Sequence, residues 1–256
     1  GAYSITVSDA EIDAAALNTL DGKTTAAITI SASTPTITGA LTTNNADAVN
    51  TALRSTGITG ASALNVKASA GTYTIAQANH AAGLTTGVVT ATIASSTLTA
   101  LAALEDTGNA YTISVSDTGT VDAAALNVLN GKSTGVITVN ATKVSGALSD
   151  IKSLYDANTA GEVAGLGDEV VAISDTGTVN AAILNGINSL TTGVVTAVGV
   201  TSITGTLTEI KAAYAAGAAG TISGLGNEAI SIADLGTVVT SSDLADIKAL
   251  TSGTVT

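Results

Sequence analysis

Apolar positions in this chain fall into short β-branched runs, each followed by a short helical stretch, and the alternation recurs from end to end. Gly135-Val136-Ile137-Thr138-Val139 carries the Val, Ile and Thr that suit a pleated strand, and Thr142-Lys143-Val144-Ser145 gives a second short strand. An Ala- and Leu-rich stretch then follows, as in Asp122 to Asn130 and Ala147 to Ala157, and predicts a helix of two or three turns. Strands of the first kind are expected near residues 5, 27, 56, 87, 111, 136, 163, 194, 222 and 253. Asp13, Asp122 and Asn180 stand just before Ala-rich starts, where a short polar side chain accepts orphan N–H bonds. Gly131 is placed to close a helix in the left-handed conformation.

The alternation is a true repeat. Ser116-Asp117-Thr118-Gly119-Thr120-Val121 recurs unchanged 58 residues on, as Ser174 to Val179, and in worn form as Ala233-Asp234-Leu235-Gly236-Thr237-Val238. Asp9 holds the equivalent place near the start. Val144-Ser145-Gly146-Ala147-Leu148-Ser149-Asp150-Ile151-Lys152 likewise matches Ile203-Thr204-Gly205-Thr206-Leu207-Thr208-Glu209-Ile210-Lys211. Each copy runs on to a Tyr (Tyr155, Tyr214) and then to Gly165-Leu166-Gly167 or Gly224-Leu225-Gly226. A unit of this length with two related halves predicts stacked coils. The expected fold is an α/β repeat: a right-handed parallel β-solenoid with short helices on one face and about nine coils of roughly 24–33 residues. It is expected as one elongated domain over residues 1–256, degenerate in 1–106 and regular in 107–256. Residues 30 to 85 are the most degenerate and contain Pro35, which suits a strand edge or turn.

Composition sharpens this picture. Hydrophobic residues make up 45% of the 256, yet aromatics only 2%, so small and β-branched side chains must fill a thin core. The formal charge of −12 argues against a phosphate backbone or an anionic membrane as partner. With no Cys, disulfides, thiol nucleophiles and thiolate metal sites are excluded together. No apolar run long enough to span a bilayer occurs. The leading Gly1 and absent initiator Met read as an internal fragment of a longer chain.

The candidate chemistry is sparse. Asp117, Asp175 and Asp234 share a repeat position and are the calcium candidates, since calcium takes clustered carboxylates. The competing reading is an Asx-type turn, with Gly119 or Gly177 at positive φ. Asn18, Asn79, Asn127 and Asn185 coincide near helix ends and read as a structural ladder satisfying turn backbone. His80, the single histidine, occupies a slot held elsewhere by Thr19, Val128 and Gly186, which does not suit proton transfer. Tyr155 and Tyr214 read as helix-end packing residues. Gly165-Leu166-Gly167-Asp168-Glu169 is acidic and lacks a following Lys-Ser/Thr, so it reads as a turn and not as a phosphate loop. Arg54 is the sole Arg, and no acidic cluster departs from the repeat, so no catalytic groove is expected.

Several segments together resemble the repeat regions of giant secreted or cell-surface proteins of marine bacteria, including cyanobacteria. They are residues 191–196 (Thr-Thr-Gly-Val-Val-Thr), 203–214, 220–229 and 234–238. The resemblance covers 107–256 well and the first hundred residues loosely. It implies a surface or extracellular location and a part in adhesion, motility or surface coating. The Gly-Gly-x-Gly-x-Asp calcium nonapeptide of some such proteins is absent here. The expectation is a non-enzymatic spacer or shaft with no cofactor, partnered by neighbouring repeats of its parent chain and prone to end-to-end self-association. The alternative is a binding module using its Asp and Thr rows for calcium, glycan or ice.

Overall fold

The structure, a computed structural model, describes residues 1–233 and 239–256. Two compact units divide the chain, the first Gly1–Val115 with Leu129–Thr138, the second Ser116–Val128 with Val139–Thr256. In chain order the elements up to Val115 are β1 (Ile5–Val7), β2 (Glu11–Asp13), α1 (Ala14–Asp21), β3 (Ile28–Ile30), β4 (Thr36–Gly39), α2 (Ala48–Arg54), a 3-10 turn (Ala61–Ala63), β5 (Asn65–Ala68), α3 (Ile75–Ala82), β6 (Val89–Thr92), α4 (Leu98–Leu101) and β7 (Ala110–Ser114). Next come β8 (Thr120–Asp122), α5 (Ala123–Asn130), β9 (Ile137–Thr138), β10 (Lys143–Gly146), α6 (Leu148–Ala160), β11 (Val163–Ala164) and β12 (Val170–Ile173). The last are β13 (Thr178–Asn180), α7 (Ala181–Asn188), β14 (Val195–Thr196), β15 (Ser202–Gly205), α8 (Leu207–Ala218), β16 (Ile222–Ser223), β17 (Ala229–Ile232) and α9 (Ser241–Lys248).

The strands of the described residues pair in parallel. In the first unit one ladder runs β9-β7-β6-β5-β4-β2, and β1 pairs with β3 apart from it. In the second unit β16-β14-β12-β10-β8 form one sheet and β13-β15-β17 another. Apolar residues meet in register across each ladder: Ile12, Ile37 and Val66 in the first unit, Val121, Val144, Val171, Val195 and Ile222 in the second. Each of these side chains is buried, most of them completely. β-Branched side chains fill these columns, in keeping with the composition.

The expected β-solenoid is corrected. The fold is α/β, with its parallel strands divided among four sheets and nine α-helices among the described residues. The identical segments Thr120-Val121 and Thr178-Val179 make the point, because β8 lies in the five-stranded sheet and β13 in the three-stranded one. Repeat-equivalent residues therefore do not continue one ladder. The physical reason is the helices: packed helices need about 8–10 Å between axes and strands about 4.8 Å. Helices of up to 13 residues are too large a part of this fold to ride on one unbroken sheet. The strand positions themselves agree with the periodicity, and an observed strand or bridge lies at or within three residues of each expected one.

Local chemistry at the helix ends is mixed. Asp13 accepts the Ala16 N–H at 2.8 Å, Asp122 that of Ala125 at 2.8 Å and Asn180 that of Ile183 at 3.1 Å, as their positions predict. Gly131, Gly119 and Gly177 are not left-handed, whereas Gly161, closing α6, is, at φ 82°. After α5 the chain turns instead through the Lys132 N–H to the Leu129 carbonyl at 3.0 Å and the Ser133 N–H to the Asn130 carbonyl at 3.3 Å. Among the described residues no helix is long and apolar enough to cross a membrane.

One device recurs at the start of the strands. Thr191 donates its hydroxyl to the Glu169 carbonyl at 2.8 Å and accepts the Gly193 N–H at 3.0 Å. Ser133 does the same with Tyr111 and Gly135, and Thr85 with Leu64 and Gly87. The glycine is steric. A Cβ on Gly193 would lie 2.1 Å from the Glu169 carbonyl oxygen. Gly193→Ala is therefore expected to lower unfolding free energy in urea by about 1–3 kcal/mol. Gly186→Ala, where an added Cβ meets nothing within 4 Å, should raise it by up to about 1 kcal/mol.

Candidate functional site

The most concentrated chemistry in the molecule is a buried carboxylate held by a tyrosine, and it occurs twice. On α6 the inward face carries Leu148, Ile151, Leu154 and Tyr155, all buried. The chain then turns through Gly165 and Gly167, at φ 88° and 138°, and places Glu169 back beneath the helix. Glu169 is 1% exposed. Its Oε1 accepts the Tyr155 hydroxyl, and its Oε2 accepts the N–H groups of Gly167 at 2.7 Å and Asp168 at 3.1 Å. The positive φ at Gly167 lets successive N–H groups converge on one oxygen.

The second copy lies 59 residues on. Tyr214 from α8 donates to Glu228 Oε2 at 2.8 Å, and Gly226 N–H donates to the same oxygen at 2.8 Å. Glu228 is fully buried, and its Oε1 has no partner among the described residues. Burial, reinforced by the hydrogen bond to Glu228, pushes the Tyr214 hydroxyl well above its ordinary range, against a smaller opposing effect from Thr251. Chemically these groups are engaged inward. A buried carboxylate taken up by two or three donors locks a turn to a helix.

The residues picked out by the repeat pattern are placed as follows. Asp175 sends Oδ2 to the Leu148 N–H at 2.7 Å, capping α6 from 27 residues further along. Ala147 at that N-cap makes no side-chain bond, so Asp175 supplies what the cap lacks. Asp117 has a bonding partner too. Asp234 lies outside the described residues. Among the described residues no three His, Asp or Glu converge as metal ligands.

The four Asn of the expected ladder each bond a backbone carbonyl. Asn18 Nδ2 reaches Ala48 of α2 at 2.9 Å, Asn127 reaches Asp150 of α6 and Asn185 reaches Glu209 of α8 at 2.8 Å, and Asn79 reaches Ala103, just past α4, at 2.8 Å. His80 faces a polar network in which its Nε2 lies 2.8 Å from Oδ1 of buried Asn50. The Asn50 amide in turn bonds Asp47 and the Asn44 carbonyl, and Asp47 caps α2. Tyr155 and Tyr214 do pack at the helix, but their hydroxyls carry the more specific role. Sequence reasoning missed the Tyr–Glu pairs. The available signal was Glu169 and Glu228 recurring at a fixed distance from the Tyr while the preceding residue changed from Asp168 to Asn227.

Beside the first pair opens a polar cavity of about 310 Å3, lined by Asn140, Ala141, Thr142, Gly165, Asp168 and Glu169. Comparison with models of known families, with curated proteins and with solved structures found no match.

Two outcomes are expected. Tyr155→Phe strands Glu169 Oε1 without its donor and should cost about 1–3 kcal/mol in chemical denaturation. Burial, with the Asp106 carboxylate adding to it, pushes the Tyr111 hydroxyl from 10.0 up to about 12. The unfolded chain therefore ionises first as pH rises. Stability should be whole below pH 10 and fall away as pH climbs towards 12, a slope that Tyr111→Phe should make shallower, with the raised Tyr214 hydroxyl supplying the remainder.

Proposed function

We propose that this chain is a structural repeat segment, a spacer within a larger bacterial cell-surface or extracellular protein concerned with adhesion, motility or surface coating. One observation carries the reading. Polar side chains that recur in the repeat are used to tie one repeat to another: Asn127 and Asn185 to the next helix, Asp175 back to α6, Thr191 back to the preceding strand. A site evolved for a ligand keeps some polar atoms convergent and unengaged. A length-setting element uses them for cohesion between neighbours.

The surface location rests on the resemblance of residues 107–256 to giant secreted repeat proteins, and the acidic surface suits such an environment. Its partners on this reading are the flanking repeats of the parent chain. Titration calorimetry with Ca2+ is expected to show no saturable heat, and the melting temperature should be the same in Ca2+ and in chelator. A saturable isotherm, with loss of that heat in Asp175→Asn, would replace the spacer by a calcium-dependent binding module.

A further inference from the structure

The loop joining β9 to β10 holds the chain's one Asn-x-Thr triplet, Asn140-Ala141-Thr142, although the sequence has fifteen Asn and is rich in Ser and Thr. We propose that Asn140 is an acceptor for an N-linked glycan. Most other Asn side chains are occupied in the fold, as with Asn65 and Asn109, whose Oδ1 atoms each accept a strand N–H at 2.8 Å. Asn140 is exposed, and its amide makes no hydrogen bond among the described residues.

The loop alternates in a way that fits. Ala141 is 5% exposed and pins the loop inward, while Asn140 and Thr142 on either side face solvent. The polar cavity beside Asn140 gives a first sugar somewhere to rest. Sugar hydroxyls are donors, and the exposed Asp168 on that rim is an acceptor, whereas the Glu169 carboxylate is already taken up by Tyr155 and the turn.

The transfer balances with a glycosyl diphosphate as co-reactant, supplied on a lipid or a nucleotide. Asn140 Nδ2 attacks the anomeric carbon, and the new C–N bond replaces the C–O bond to phosphate. The diphosphate leaves with the bonding pair, and the amide proton passes to a base of the transferase. In the folded chain the Thr142 hydroxyl and N–H each bond the Thr118 carbonyl at 3.1 Å, which ties down the hydroxyl of the acceptor triplet. The sugar is therefore added before this loop folds, and the finished fold leaves it facing out.

The inference rests on the surface location proposed above, so its test separates the two. The chain is recovered from the cells that produce it after labelling with a membrane-impermeant amine reagent, and the segment Ser133–Lys143 is analysed by mass spectrometry. The expected result is a labelled chain whose segment carries hexose or N-acetylhexosamine mass placed on Asn140 by fragmentation. The mass should vanish in Asn140→Gln and Thr142→Ala and persist in Thr142→Ser. A labelled chain with a wholly unmodified segment overturns the glycan and leaves the surface location standing. An unlabelled chain overturns both. Sugar mass retained in Thr142→Ala overturns the assignment of the triplet.

Discussion

Everything in this molecule depends on how strands of two to five residues are kept in register with strands some two dozen residues away. A ladder that short has more ends than middle, and each end exposes carbonyl and N–H groups that burial would make costly. The chain meets this with side chains in place of longer strands. Ser or Thr hydroxyls take the carbonyl below and hold the N–H two residues on, and a glycine lets the two backbones approach. Asn amides do the equivalent between helices. The polar contacts and the buried Val and Ile columns specify the same register.

The same economy explains the composition. The core is filled chiefly by Val, Ile, Leu and Ala, and the chain contains no Phe or Trp. Two of the five Tyr, Tyr155 and Tyr214, hold buried glutamates through their hydroxyls. A buried carboxylate is a liability unless several donors meet it, and here a glycine-bearing turn and a helix each supply some. Removing one partner leaves the charge uncompensated, so the pair acts as a latch between a helix and the turn that follows it. The cap donated by Asp175 to α6 is a further case of one repeat completing another.

What was legible in advance divides along a clear physical line. Strand and helix positions follow from local periodicity and capping chemistry, and so the runs at Ile137, Val144 and Val195, and the caps at Asp13, Asp122 and Asn180, could be read directly. The Asn positions near helix ends were visible as a repeating signal, but their partners were not. Alignment shows which residues are equivalent and says nothing of what each one touches. Gly131 shows the limit of the local rules, since a glycine after a helix satisfies the pattern without adopting the left-handed conformation.

By itself the sequence determined the repeat, the largely aliphatic core, the net acidic charge and the positions of the strands. Those depend on side-chain volume, charge and spacing, all of which are properties of residues close together in the chain. Only the tertiary structure decided that identical segments such as Thr120-Val121 and Thr178-Val179 enter different sheets, and that Glu169 and Glu228 are drawn beneath tyrosines fourteen residues earlier. These follow from the competing spacings of packed helices and paired strands, a conflict settled in three dimensions and written in no single stretch of the chain.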